Sequence, residues 1–135
     1  MSLAGRIAIV TGGGRGIGRA ISEGLAEDGA TIAINYRNDE AAANETVRAI
    51  EAAGGKAKAY QASVEDWDGC GNMVARVVED FGGIDILVNN AGVIHDKPVL
   101  ELTDEEIATS LGVHVTGPLR LLRALMPDMI ARGYG

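Results

Sequence analysis

The 135 residues make one domain's length of chain, and at 47% hydrophobic content they can bury a real core. A net charge of −7 argues against nucleic acid as a partner, and no apolar run approaches the length needed to span a membrane. The single cysteine, Cys70, rules out a disulfide framework within the chain; with no signal-peptide pattern ahead of the first apolar run, the expected home is the reducing cytoplasm.

The first apolar run predicts a strand from Arg6 to Thr11, and the helical spacing of Ile17, Ile21 and Leu25 predicts a helix that stops at Gly29. Between them lies Thr11-Gly12-Gly13-Gly14-Arg15-Gly16-Ile17-Gly18. A strand that passes through glycines into a helix is how an α/β fold cradles a dinucleotide pyrophosphate. Bare amides at the helix start offer hydrogen bonds and partial positive charge, and glycine lets a phosphate approach the backbone. The spacing fits neither of two common phosphate motifs. No third glycine completes GxGxxG, and no Lys-Ser or Lys-Thr follows Gly18 to complete a Walker A loop.

Further strands are predicted over Thr31 to Tyr36, Lys56 to Gln61 and Ile84 to Asn89. The helices between them carry Ala43, Val47 and Ile50 up to Gly54-Gly55, then Met73, Val74, Val77, Val78 and Phe81 up to Gly82-Gly83. The second of these starts at Trp67, with Asp66 as its cap. The alternation is that of a parallel sheet with helices on both faces. Right-handed crossovers with one reversal give strand order 3-2-1-4, and a nucleotide then sits between strands one and four. Thr103-Asp104-Glu105-Glu106 is a capping box that opens one long apolar helix from Ile107 to Ile130, broken by Gly112, Gly117, Pro118 and Pro127. Pro118 has no N–H for the His114 carbonyl and should bend the helix there.

The pattern TGxxxGxG, followed by Asn89-Asn90-Ala91-Gly92 after the fourth strand, resembles the short-chain dehydrogenase/reductase family. The resemblance runs along essentially the whole chain and matches the N-terminal half of such an enzyme. It implies a Rossmann-type doubly wound sheet, with Gly12, Gly14, Arg15, Gly16, Ile17 and Gly18 around the pyrophosphate and adenosine ribose. It also implies Ser63 and Val64 at the adenine, although the family usually has an aspartate at the former, and Asn90, Ala91 and Gly92 against the ribose. In the family, a serine and a Tyr-x-x-x-Lys pair carry the acid–base chemistry of hydride transfer between nicotinamide and a carbonyl. Neither the Tyr-x-x-x-Lys pair nor the strand that bears the serine occurs in these 135 residues, so the chain alone is expected to be inactive.

Val113-His114-Val115-Thr116-Gly117 stands where members often carry Asn in a Val-Asn-x-x-Gly string. The resemblance implies a role for that residue's main-chain carbonyl, which His114 can keep; its side chain is either a catalyst or a hydrogen-bonded histidine tolerated in an apolar helix. No ligand cluster for a metal accompanies His95 or His114. The second strand ends Asn35-Tyr36-Arg37 without a carboxylate, and Arg15 projects toward the same region, so the expected cofactor is NADP(H) in preference to NAD(H). Within the family, Val64-Glu65-Asp66-Trp67-Asp68 and His95-Asp96-Lys97 most resemble the bacterial reductases of β-ketoacyl thioesters. The other reading is of a different class, a non-enzymatic dinucleotide-binding or purely structural half-fold. Homo-oligomers are expected through the open edge of the fourth strand and an apolar stripe of Leu111, Val115, Leu119, Leu122 and Met126.

Overall fold

A computed structural model describes residues 2–135. In chain order the elements are β1 (Ile7–Val10), α1 (Gly16–Glu27), β2 (Thr31–Tyr36), α2 (Glu40–Ala52), β3 (Lys56–Gln61), α3 (Trp67–Phe81) and β4 (Ile86–Val88). A short 3₁₀ turn (Val99–Glu101) leads to α4 (Asp104–Leu111), a π-helical turn (Gly112–Thr116) and α5 (Gly117–Arg132). All strand pairs are parallel, and the order is β3-β2-β1-β4, as the alternation of strands and helices predicted.

Side chains alternate across a strand, so each strand feeds two cores. Ala8 and Val10 of β1 stand beside Ile32 and Ile34 of β2 and pack with Ala43 and Ile50 of α2. Ile9, Ala33 and Tyr60 face the other way, onto Met73 and Val77 of α3 and Leu121 and Leu125 of α5. Burying an aliphatic side chain of this size is worth about 1.5–3 kcal/mol. The sheet is therefore covered on both faces, and β1 is held between β2 and β4 with its carboxyl end at the centre of one rim.

The structure departs from the expected elements in several places, beginning with β1, which is Ile7–Val10 and shorter than Arg6 to Thr11. The fourth strand is shorter than Ile84 to Asn89. Asp85 gives its amide to the Ile7 carbonyl (2.8 Å), but its side chain turns under the sheet. There it accepts from the Ile7 amide (2.9 Å) and from Arg132 Nη1 (2.7 Å), while Arg132 Nη2 donates to the Ile84 carbonyl (2.6 Å). The long last helix is two helices, because the break is a π turn over Gly112–Thr116, ahead of Pro118. The Gly117 amide reaches back five residues to the Gly112 carbonyl, and Pro118, with no N–H to return to the His114 carbonyl inside that turn, follows it directly while the backbone stays helical throughout. Pro127 lies inside α5 without ending it. Asp66 occupies the N-cap position of α3 but makes no side-chain cap bond; Ser63 organises that turn instead, through its carbonyl and hydroxyl. The capping box at Thr103 and Glu106 is present in full.

Candidate dinucleotide-binding site

The glycine loop leaves β1 at Thr11, which is 1% exposed. Its hydroxyl donates to the Val88 carbonyl (3.3 Å) and accepts from the amides of Asn90 and Ala91 (both 3.0 Å). The Asn90 side-chain amide returns the contact, donating to the carbonyls of Thr11 (3.0 Å) and Gly12 (3.2 Å). Thr11 and Asn90 thus clasp the carboxyl ends of β1 and β4, 79 residues apart in sequence. On the other side, buried Asn35 accepts from the Gly12 amide (3.3 Å) and donates to the Ala62 carbonyl (2.9 Å), which ties the loop to the ends of β2 and β3.

The remaining loop carbonyls are held inward by helix side chains. Ser22 of α1 places its hydroxyl 3.1 Å from the Gly13 carbonyl and 2.9 Å from that of Gly18, and Thr46 of α2 donates to Gly14 (2.9 Å). The helix ladder of α1 begins with the Arg19 amide on the Arg15 carbonyl (3.1 Å), so the amides of Gly16, Ile17 and Gly18 have no partner within the helix. Such a helix start suits an anion.

Three loop glycines are required by close approach, Gly13 among them, where a Cβ would lie 2.8 Å from the Val10 carbonyl oxygen. A Cβ on Gly18 would run into the Gly12 carbonyl oxygen and the Asn90 side chain, and one on Gly14 would lie 2.8 Å from Ala43 Cα. Gly14 therefore packs the loop onto α2, whereas Gly16, at φ 54°, has open space where a Cβ would go. These unpaired amides beside an open cradle fit a pyrophosphate.

Arg15 is exposed, with Nη1 3.9 Å from Asp39 Oδ2, and Ile17 projects into solvent beside it. The other oxygen of Asp39 caps α2 by accepting from the Ala42 amide (3.0 Å). Arg37 leaves the end of β2 with Nη2 4.0 Å from Glu65 Oε2. Ser63 and Val64 form the turn after β3. The Ser63 carbonyl accepts from the Asp66 amide (3.0 Å) and the Cys70 thiol (3.4 Å), and Val64 is buried, its carbonyl 2.7 Å from where a Cβ on Gly117 would stand. Burial, with Asp66 nearby, pushes the Cys70 thiol up despite the opposing charge of Arg120, which leaves it a small packed residue and a poor nucleophile.

Asn90, Ala91 and Gly92 lie on the same rim as the loop. The His114 ring belongs to their far side, with Nε2 2.9 Å from the Val93 carbonyl and 3.2 Å from its amide nitrogen. The ring contacts backbone and is not grouped with a second acid or base among its hydrogen-bond partners. No cluster of three or more His, Cys, Asp or Glu residues that could hold a metal ion occurs among the described residues. Thr11, Asn35, Ser22 and Thr46 were not singled out as site residues in the sequence. Their signal there is faint: a hydroxyl or amide at the end of an apolar strand or on the apolar face of a helix.

A parallel α/β sheet with a glycine loop at the carboxyl end of its central strand, where the strand order reverses, is a Rossmann-type fold. The chain belongs to the short-chain dehydrogenase family, whose model matches residues 6–135. It is 43% identical over 122 residues to an uncharacterized oxidoreductase of Methylorubrum extorquens, covering 90% of this chain and 49% of that protein. It is 36% identical over 128 residues to a 3-oxoacyl-[acyl-carrier-protein] reductase of Staphylococcus aureus, covering 95% and 52%. Among solved structures, a short-chain dehydrogenase from Burkholderia cenocepacia in complex with NADP superposes with a TM-score of 0.90 at 43% identity, covering 94% of this chain and 52% of that one. The chain spans about half the length of the curated relatives it matches. No helix among the described residues is long and apolar enough to cross a membrane.

Proposed function

We propose that this chain is the NADP(H)-binding part of a short-chain oxidoreductase that reduces a carbonyl, of the β-ketoacyl thioester class, by hydride transfer. The observation that carries the cofactor half is the loop itself: amides of Gly16, Ile17 and Gly18 free of helix partners, with Arg15 and Arg37 at the end of β2. An NAD site normally offers a carboxylate there to the ribose hydroxyls. Here the nearest one in sequence, Asp39, is engaged by the Ala42 amide and by Arg15, so the local charge favours a 2′-phosphate. The 3-oxoacyl reductase among the relatives and the His95-Asp96-Lys97 string support the substrate class.

When bound, the dinucleotide supplies the hydride, and this chain's own residues bind and orient it. Loop amides meet the pyrophosphate, Ser63 and Val64 border the adenine, and Asn90, Ala91 and Gly92 line the ribose. The 135 residues hold no Tyr-x-x-x-Lys, and general acid help is worth roughly two to four orders of magnitude. NADPH oxidation with acetoacetyl-CoA is therefore expected to stay at background for this chain.

Calorimetric titration with NADPH and NADH tests the cofactor reading. NADPH should bind more tightly, and Arg37→Ala should erase most of the difference. Equal affinities, or tighter NADH binding indifferent to Arg37→Ala, would sink it. The exposed stripe of Leu111, Val115, Leu119, Leu122 and Met126 supports homo-oligomer formation through α4 and α5, with the free edge of β4 as a second surface.

A further inference from the structure

The stretch from Gly92 to Lys97 runs antiparallel to α4 and the π turn that follows it, and is joined to them by three rungs. Val93 meets His114, His95 Nδ1 lies 3.0 Å from Ser110 Oγ, and Lys97 Nζ donates to Glu106 Oε1. The helix partners are four residues apart and share one face; the loop partners are two apart, as on an extended chain. Exposure follows the same alternation, with Val93 and His95 half-buried while Ile94 and Asp96 face solvent. The far rung is anchored in the capping box, because the second oxygen of Glu106 accepts from the Thr103 amide (3.1 Å). At the near rung, His114 Cε1 would lie 3.0 Å from a Cβ on Gly92, so the imidazole packs directly against that glycine.

We propose that Glu106, Ser110 and His114 form a rack that positions the segment after β4, and through Gly92 the ribose side of the nucleotide site. His114 is then a positioning residue acting through the Val93 backbone, which is the use the structure offers for its side chain. The proposal rests on the dinucleotide reading of the Asn90 to Gly92 turn. The chemistry of the near rung is specific: Nε2 serves the Val93 carbonyl when it carries a proton and the Val93 amide when it does not. A glutamine amide offers a donor and an acceptor at comparable reach, and alanine offers neither.

Amide hydrogen exchange and NADPH titration, followed by cofactor fluorescence, test the rack in the wild-type chain, His114→Ala, His114→Gln and Ser110→Ala. His114→Ala should speed exchange at the amides of Val93 to His95 and weaken NADPH about fivefold, the net worth of one hydrogen bond. His114→Gln should restore both, and Ser110→Ala should speed exchange around His95 with a smaller loss of affinity. Unchanged exchange in His114→Ala overturns the rack, and equal losses in the Ala and Gln variants overturn its hydrogen-bonded form. A wild-type chain that binds no NADPH would count against the dinucleotide reading, and the exchange rates would then judge the rack by themselves.

Discussion

Asp85 offers a quantitative test of what fastens α5 beneath the sheet. Its carboxylate is 5% exposed, takes the Ile7 amide on one oxygen and Arg132 Nη1 on the other, and has Arg6 Nη1 at 3.9 Å. Asp85→Ala strands the Ile7 N–H, a desolvation cost of about 1–3 kcal/mol, and removes a charge-assisted bond. Arg132 is over a third exposed and turns back to water, so its side of the loss is small. The sum is about 3 kcal/mol, with Asp85→Asn costing roughly half because an acceptor for Ile7 remains. Burial alone would raise the Asp85 carboxyl, but Arg132, the Ile7 amide and Arg6 together outweigh it and hold the group below the usual carboxylate range. A depressed folded pKa adds stability that is complete above the unfolded value, about 4, and is lost as pH falls through the folded one. Urea unfolding followed by circular dichroism at pH 7 and at pH 3 reads both effects. The gap between wild type and Asp85→Asn should be widest at neutral pH and narrow in acid. Equal stability of all three proteins at pH 7, or a gap of the same size at pH 3, would refute the reasoning.

Two further outcomes are expected. Thr11→Val keeps the shape of the strand end but strips the acceptor from the Ala91 amide and leaves that of Asn90 only the Val88 carbonyl. Unfolding in urea should show a loss of about 1–3 kcal/mol, and NADPH affinity should fall with it as the β1–β4 clasp opens. Leu119→Glu with Leu122→Glu should shift light scattering across a concentration series toward monomer while leaving NADPH binding in place. A wild-type chain that stays monomeric at high concentration would remove the basis for the α5 interface.

Much of the sheet was readable along the chain because β1 and β2 are apolar runs and the helices between them keep a 3.6-residue rhythm ending in glycine. The glycines after α1, α2 and α3 do take left-handed backbone, at φ 101°, 88° and 91° for Gly29, Gly54 and Gly82. The loop was readable because its glycine spacing is a local signal. What escaped depends on residues far apart in sequence. Nothing near Thr11 announces that its hydroxyl meets the amides of Asn90 and Ala91, and nothing near Asn35 announces the Gly12 amide. The π turn escaped for a different reason. Pro118 marks a distortion around His114 in the sequence, and the structure has one there, but as a π turn over Gly112–Thr116 and not as a simple bend. What the sequence does not announce is that Gly117 packs on the Val64 carbonyl and the Gly112 carbonyl, with no room for a side chain. Asp85 was placed in a strand because its neighbours are apolar; its role needed Arg132, 47 residues on.

The polarity of the glycine loop is locked by side chains that hold its carbonyls inward, two of them, Ser22 and Thr46, outside the proposed nucleotide contacts. Carbonyls of Thr11, Gly12, Gly13, Gly14 and Gly18 are each engaged by Asn90, Ser22 or Thr46, so no peptide plane can flip to turn an oxygen outward without breaking a buried bond. A loop free to flip could greet a cation as readily as an anion. Here the carbonyls are held by side chains, and the conformational entropy of ordering the loop is spent during folding. Ser22→Ala and Thr46→Val would therefore blur the loop's selectivity for anions from a distance, through the backbone they release.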